Sequence, residues 1–210
     1  MIITYHGAAC VKVGAGETTL AFAPVSKESK MKTVSFGADV AFVPLNHPDM
    51  NGIEQVGRGG KEPFIIRGPG EYEVASITVA GYPSASRYGG QERINTMYVV
   101  NFDGMTILYL GALSDEKLPA EITEDLEDID ALFVPIGGNG ALEPRAAAKL
   151  AVSLEPHVVI PILWGEGAEK DALKIFLKEY GADDTKPVEK LTIKSKDAAA
   201  MEGEAVIVAS

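Results

Sequence analysis

The residues of this 210-residue chain that are best suited to bind metals or act as nucleophiles are three histidines and one cysteine, His6, His47, His157 and Cys10. His47 stands out because a carboxylate, Asp49, follows it two residues later, directly after a run of apolar residues that ends near Val43. An imidazole and a carboxylate can act together in acid–base chemistry or as two ligands of a metal ion. The Asn, Pro, Asp and Gly residues of the same segment are also typical of a turn, and the local pattern alone favours the turn.

The other candidate nucleophiles have weaker signals. Cys10 falls in a predicted buried strand, where cysteine usually behaves as an inert apolar residue. His6 is interpreted as a structural histidine that has its hydrogen-bond partners, and His157 as a partly exposed residue at the start of a strand. Ser84 and Ser86 lack the G-x-S-x-G context that exposes a catalytic serine.

Short strands and turns dominate the first half of the chain, and helices alternate with strands in the second half. Asp103-Gly104 is the clearest hairpin turn, and helices are expected over 118–126, 143–154 and 170–180 from apolar residues three and four positions apart. Strands are expected over 1–5, 10–13, 18–23, 39–44, 64–67, 72–74, 77–82, 96–102, 105–110, 131–136, 158–162, 191–194 and 204–208. This order predicts an α/β fold with two packed sheets and helices outside.

Composition excludes several classes of function. Nineteen basic and thirty acidic residues give a net charge of −11, and no Lys and Arg cluster suitable for a nucleic acid is present. The densest acidic run, 115–130, is interpreted as a solvated helix face, with an acidic surface for a basic partner as the alternative. One cysteine, no signal peptide and no apolar run long enough for a membrane helix predict a cytoplasmic protein without a membrane partner.

Six short motifs in a fixed order resemble a known family. They are Tyr5-His-Gly-Ala-Ala-Cys10, Leu45-Asn-His-Pro-Asp-Met50, Gly68-Pro-Gly-Glu71, Leu110-Gly-Ala112, Pro135-Ile-Gly-Gly138 and Pro156-His-Val-Val-Ile-Pro161. Together they resemble the metallo-β-lactamase-fold hydrolases, in particular the branch similar to L-ascorbate-6-phosphate lactonase and its bacterial relatives. The resemblance implies one α/β domain over 1–210, a four-layer αββα sandwich of two mixed sheets with helices on the outside.

The departures from the family pattern lie at its metal ligands. The family holds two zinc or manganese ions through seven positions, of which His47 and Asp49 keep a donor here. The other five positions correspond to Leu45, Met50, either Ala85 or Ser86, Ala112 and Leu163. A supporting aspartate of the family corresponds to Ala23. Since zinc sites use about four donors, with about three from the protein in catalytic sites, the resemblance implies that no metal is held here.

These departures lead to the expectation of a non-catalytic protein without a cofactor, whose partner is an unidentified small molecule or protein. Its oligomeric state is left open. The expected ligand pocket is formed by Leu45, His47, Asp49, Met50, Ala112, Gly137, Gly138, Asn139 and Leu163, with His47 and Asp49 as remnants of catalytic residues. The backbone of the loop 137–140 is a candidate anion site, although a simple strand-to-helix turn is the favoured interpretation. Two alternatives remain: a metal-dependent hydrolase of lactones, esters or phosphoesters with a reduced or unrecognised metal site, and an acidic oligomeric interaction scaffold.

Overall fold

The computed structural model describes residues 1–74, 76–126 and 128–209. Glu127, one of the acids of the 115–130 run, lies outside the described residues, as do the side chains of Glu124 and Asp125 in the same run. No helix in the described ranges combines the length and apolar character needed to cross a membrane.

The first sheet has six strands in the order β12-β1-β2-β3-β4-β5. Its strands are β1 (Ile2–Tyr5), β2 (Val11–Ala15), β3 (Thr18–Phe22), β4 (Val40–Val43), β5 (Phe64–Arg67) and β12 (Leu191–Thr192). The pairs β3–β4 and β4–β5 are parallel, whereas the others are antiparallel. The carboxyl ends of β3 and β4 therefore open at the same end of the sheet.

The second sheet has seven strands in the order β13-β11-β10-β9-β8-β7-β6. Its strands are β6 (Gly70–Val74), β7 (Ile77–Ser86), β8 (Arg93–Phe102), β9 (Met105–Tyr109), β10 (Ala131–Pro135), β11 (Val158–Ile162) and β13 (Glu204–Ala205). Strands β9, β10, β11 and β13 run parallel to one another. Both sheets are mixed, as expected from the order of elements.

The described residues contain four α-helices: α1 (Ala120–Asp125), α2 (Pro144–Ser153), α3 (Ala172–Tyr180) and α4 (Ser195–Ala198). The apolar stripes of α2 and α3 pack on the outer face of the second sheet in one cluster that includes Leu150 and Phe176. On the outer face of the first sheet, Ala21 and Ala41 pack against Ala38 and Val56, which belong to irregular segments. This arrangement confirms the predicted α/β class and its two packed sheets.

The core between the sheets is built on aromatic rings. Phe22 stacks on Phe42 with ring centres 4.4 Å apart and on Tyr109 at 4.8 Å. The Tyr109 hydroxyl donates a hydrogen bond to the carbonyl of Ala9 over 2.7 Å, so this buried polar group is satisfied. These rings hold the two sheets face to face and so bring their loops to a common end.

The ends of several strands and helices are explained by turn and cap residues in the sequence. Asp103 and Gly104 both adopt positive φ between β8 and β9, as a tight hairpin turn requires. Pro144 occupies the first turn of α2, and Gly181 ends α3 in the left-handed conformation. Strands β7 and β8 extend to ten residues each, beyond the predicted ranges, because they pair with each other along their whole length.

Cys10 is fully buried, and burial raises the pKa of its thiol to about 12. Because the thiolate is the reactive form, we expect the native protein at pH 8 to react with a disulfide reagent such as Ellman's reagent roughly 100-fold more slowly than the denatured chain. Absorbance at 412 nm with and without 6 M guanidinium provides the measurement. Equal rates in the two states would contradict the burial of Cys10.

Candidate functional site

A cavity of about 460 Å³ opens at the end of the molecule where β4 and β11 finish. Such a position, beyond the carboxyl ends of parallel strands, is where α/β proteins commonly bind ligands. The lining residues come from five separate segments: Glu28, Ser29, Lys30, Met31, His47, Pro48, Asp49, Tyr88, Gly89, Asn139, Glu166 and Gly167.

The loop that carries His47 and Asp49 is fixed at its start by the second sheet. The Tyr98 hydroxyl donates to the carbonyl of Val43 over 3.0 Å, and the amide of Thr96 donates to the carbonyl of Pro44 over 2.8 Å. The buried side chains of Leu45 and Met50 anchor the loop in the core on either side of His47. The amide of Met50 also donates to the carbonyl of His47, which closes a tight turn around Asp49.

Gly52 brings a second segment, residues 24–31, against this loop. A β-carbon at Gly52 would overlap the backbone of Val25 and Ser26, so only glycine permits the contact. The amide of Gly52 donates to the carbonyl of Pro24 over 2.7 Å, and the amide of Ser26 donates to the carbonyl of Pro48 over 2.8 Å. The two backbones are thereby locked together, and Ser29 lies beside Asp49.

The carboxylate of Asp49 is the centre of the site's hydrogen bonds. Ser29 donates its hydroxyl proton to Oδ1 over 2.5 Å, and Tyr88 donates to Oδ2 over 2.9 Å. Asp49 is only 8% exposed, so these charge-assisted bonds compensate the loss of hydration of a buried carboxylate.

His47 presents its ring to the cavity beside this carboxylate. Its Nδ1 lies 3.4 Å from Asp49 Oδ2 and accepts a hydrogen bond from the Asp49 amide over 3.2 Å. Burial lowers the pKa of His47 below its usual value; the negative charge of Asp49 opposes this and Arg93 reinforces it. The imidazole is therefore neutral at pH 7. On the other side of the ring, a β-carbon at Gly89 would lie 2.9 Å from Nε2, so glycine keeps this nitrogen uncovered.

Tyr88 is held against both residues. Its ring packs edge-on against the His47 ring with centres 5.1 Å apart, and its amide donates to the hydroxyl of Ser86 over 3.2 Å. Burial, with Asp49 as its neighbour, raises the pKa of the Tyr88 hydroxyl, which therefore stays protonated and acts as a donor. The hydroxyl of Ser86 donates to the carbonyl of Ala112 over 2.7 Å.

The structure separates the predicted pocket residues into two groups. His47, Asp49 and Asn139 line the cavity, whereas Leu45, Met50, Ala112 and Leu163 are buried in the core between the sheets. Of the two candidates for the mid-chain position, Ser86 is buried and Ala85 is exposed. The aliphatic side chains thus fill the core without closing the cavity, because the cavity lies on the outer side of the His47 loop.

The glycine loop 137–140 does not line the cavity except at Asn139. Gly137 packs against the backbone of Leu163, and the Glu169 carboxyl group lies so close to Gly138 that a β-carbon there would contact it at 2.5 Å. The Gly138 amide donates to the carbonyl of Leu142 over 3.1 Å, and the Ala141 amide donates to the carbonyl of Gly138 over 2.9 Å, which favours the interpretation of this loop as a turn.

The other two histidines, His6 and His157, do not line the cavity of His47 and Asp49. His6 stacks on Phe36 with ring centres 5.0 Å apart, and burial together with Lys12 lowers its pKa. Its buried Nε2 has no hydrogen-bond partner among the described residues, in contrast to the expected satisfied histidine. The ring nitrogens of His157 lie 3.6 Å from Asp128 and 3.5 Å from Asp130, beside a different cavity.

The donors around Asp49 differ from those of the two-metal centre that the resemblance implies. Within the described part of the chain, no three His, Cys, Asp or Glu side chains come together in a way that could hold a metal ion. Both oxygens of Asp49 already accept a hydrogen bond from the protein, from the hydroxyl groups of Ser29 and Tyr88. These residues do not fit a dinuclear zinc or manganese centre, which requires several donors for each ion.

Sequence reasoning placed the loop 82–88 near the pocket without a role for Tyr88, and it missed Ser29 and Glu166, because each reaches the cavity from a segment remote from His47 along the chain. The signals that could have found them are glycines. Gly52 permits the contact that brings the segment of Ser29 close. Gly140, whose β-carbon would overlap the backbone of Arg87, similarly places the loop of Tyr88.

Comparisons with known proteins agree with the fold. Two curated relatives are named UPF0173 metal-dependent hydrolases: one from Natranaerobius thermophilus is 23% identical over 77% of this chain and 82% of its own length, and one from Listeria innocua is 26% identical over 77% and 84%. The crystal structure of a candidate Zn-dependent hydrolase of the metallo-β-lactamase superfamily from Thermotoga maritima has a TM-score of 0.78. It is 24% identical and covers 100% of this chain and 99% of its own, and this likeness shows the shared fold.

The relatives correct one expectation. The chain was expected to be non-catalytic because five ligand positions had lost their donors, but the relatives that align with most of its length are named as hydrolases. That expectation is wrong, since it equated the loss of ligands with the loss of a site. The model of the β-lactamase superfamily domain matches residues 2–163, well over half of the sequence. On this evidence the chain belongs to the β-lactamase superfamily, with the metallo-β-lactamase fold.

Proposed function

We propose that this protein is a hydrolase of small lactones, esters or phosphoesters, and that its reaction takes place at His47 in the cavity of about 460 Å³. The observation that carries the proposal is the pairing of His47 with the buried, doubly hydrogen-bonded carboxylate of Asp49 at the wall of that cavity. The hydrolase names of the relatives support the same class of reaction.

His47 acts on the attacking water. The reaction uses the tautomer of His47 that carries its proton on Nδ1: the ring gives up the hydrogen bond that Nδ1 accepts from the Asp49 amide and turns Nδ1–H towards Asp49 Oδ2. Nε2 then takes one proton from a water molecule as the water oxygen attacks the acyl or phosphoryl centre, and later returns that proton to the leaving oxygen. The C–O or P–O bond of the substrate breaks; an ester gives an acid and an alcohol, and a lactone gives a single ring-opened hydroxy acid. The 3.4 Å between Nδ1 and Oδ2 needs to shorten by a few tenths of an ångström, as is common for catalytic contacts without substrate.

Asp49 orients the imidazole and stabilises its protonated form. Ser29 and Tyr88 in turn hold the carboxylate, since each donates to a different oxygen of Asp49. This arrangement follows the general pattern of a base whose orientation is set by a third group. The site contains a positioned base without requiring a metal ion, and we propose that no metal cofactor is needed.

The test uses p-nitrophenyl butyrate, γ-butyrolactone and p-nitrophenyl phosphate as substrates, before and after dialysis against a chelator. We expect turnover of at least one of them to survive dialysis with less than about twofold change, and metal content to stay well below one ion per chain. The melting temperature, measured with added Zn²⁺, Mn²⁺ or chelator, should also stay constant. Turnover lost on dialysis and restored by one of these ions would contradict the metal-independent site, and no turnover in any condition would contradict the hydrolase.

A further inference from the structure

The charges around the cavity distinguish among the substrates that the proposed function allows. Four charged side chains line it, the carboxylates of Glu28, Asp49 and Glu166 and the ammonium group of Lys30, so the formal charge of the lining is −2. The whole chain has the same sign, with a net charge of −11. A substrate with a phosphate or carboxylate group therefore meets a repulsive field both on approach and in the site.

The groups that normally recognise a phosphate are also missing from the lining. Phosphate sites use paired Arg or Lys side chains, or several backbone N–H groups that converge. Lys30 is the single basic side chain among the described residues of the lining. The nearby guanidinium of Arg93 already donates to the carbonyl of Tyr88 over 3.2 Å and to Gln91 over 2.7 Å. The glycine loop 137–140 already has the Glu169 carboxyl group against it.

We infer that the cavity takes uncharged esters or lactones and rejects their phosphorylated or carboxylated counterparts. This inference rests on the proposed function, because it names the substrate class of the same site. Met31, Pro48 and the ring of Tyr88 supply apolar contact area for a short acyl chain, as in most small-molecule sites. Glu28 and Glu166, both exposed at the mouth of the cavity, exclude anions.

The first experiment compares two esters with the same leaving group, p-nitrophenyl butyrate and mono-p-nitrophenyl succinate, which differ mainly by a terminal carboxylate. At about 10 mM ionic strength, where surface charges are weakly screened, kcat/KM for the butyrate should exceed that for the succinate by at least about tenfold. The ratio should fall several-fold in about 0.5 M salt, since the screening length then becomes only a few ångströms.

Variants that remove glutamate charges show which residues cause the preference for the uncharged ester. The double variant Glu28→Gln/Glu166→Gln should bring the butyrate-to-succinate ratio to within about threefold of unity, because it neutralises the lining. Glu155→Gln/Glu202→Gln removes the same net charge from the cavity beside His157 and should keep the full ratio. Equal or faster hydrolysis of the succinate or of p-nitrophenyl phosphate by the native protein would overturn the inference.

A binding measurement separates this inference from the proposed function. The chain has three histidines, so the ring protons of His47 can be assigned by NMR with a His47→Gln variant. γ-Butyrolactone should shift these signals, whereas inorganic phosphate at the ionic strength of a sodium chloride control should not. If no ester is hydrolysed and this selectivity is found, the hydrolase proposal fails and the charge inference stands. Shifts caused by phosphate, or by neither probe, overturn the inference.

Discussion

Replacing His47 by glutamine is expected to lower kcat for the hydrolysed substrate by about 10²- to 10⁴-fold, the usual contribution of a positioned acid–base group. Glutamine keeps a polar side chain of similar length but cannot take a proton from water at neutral pH. KM should change little, because His47 is one of twelve residues that line the cavity. Steady-state kinetics with p-nitrophenyl butyrate and with γ-butyrolactone provide the measurement.

His157→Gln is a closely matched control. The side chain of His157 is 24% exposed, compared with 20% for His47, and both rings lie within 4 Å of a carboxylate. His157 borders a different cavity, so its replacement should leave kcat within about twofold of the native value. If both variants lost activity equally, the effect would reflect the removal of a buried imidazole, and His47 would have no specific role in the reaction.

Replacing Asp49 by alanine should cause the second large loss, because it removes the group that orients His47 and leaves the buried hydroxyl of Tyr88 and the half-buried hydroxyl of Ser29 without this acceptor. We expect kcat to fall by about 10²-fold or more. Hydrogen bonds to charged groups contribute about 1.5–3 kcal/mol each, so the free energy of unfolding should fall by roughly 2–4 kcal/mol. Urea unfolding followed by circular dichroism measures the second quantity.

Asp130→Ala separates these two consequences. Asp130 is also 8% exposed, and it accepts a hydrogen bond from the amide of Thr106 over 2.7 Å at the end of the second sheet where β9 and β10 begin. Its loss should destabilise the protein by roughly 1.5–3 kcal/mol and leave kcat almost unchanged at temperatures well below unfolding. A drop in kcat that simply followed stability in both variants would show that Asp49 has only a structural role.

The fold could be predicted from the sequence because its signals are local. The Asp103-Gly104 turn, the first-turn Pro144 of α2 and the terminal Gly181 of α3 each act within a few residues. The ends of β7 and β8 were harder to predict from the sequence, since the length of a strand depends on its partner strand. The helix α4 was not predicted, because four residues are too short to show a helical repeat of apolar residues.

The site was only half predictable, for a physical reason. His47 and Asp49 are adjacent in one loop, but Ser29 is 20 residues from Asp49 along the chain, and Tyr88 is 39 residues away. Their contacts depend on how loops of different strands pack, which no periodic pattern encodes. The loss of metal ligands therefore suggested that no functional site remained. The structure instead shows hydrogen bonds from Ser29 and Tyr88 to the carboxylate of Asp49.

The position of Trp164 has a spectroscopic consequence. It is the single tryptophan of the chain, its ring stacks on Tyr5 with centres 5.3 Å apart, and its Nε1–H donates to the carbonyl of Pro161. Two residues later, Glu166 and Gly167 form part of the cavity wall. Emission from this indole, excited selectively at about 295 nm, comes from a single environment next to the ligand site. The protein therefore has an intrinsic fluorophore with which titrations can be followed without a label.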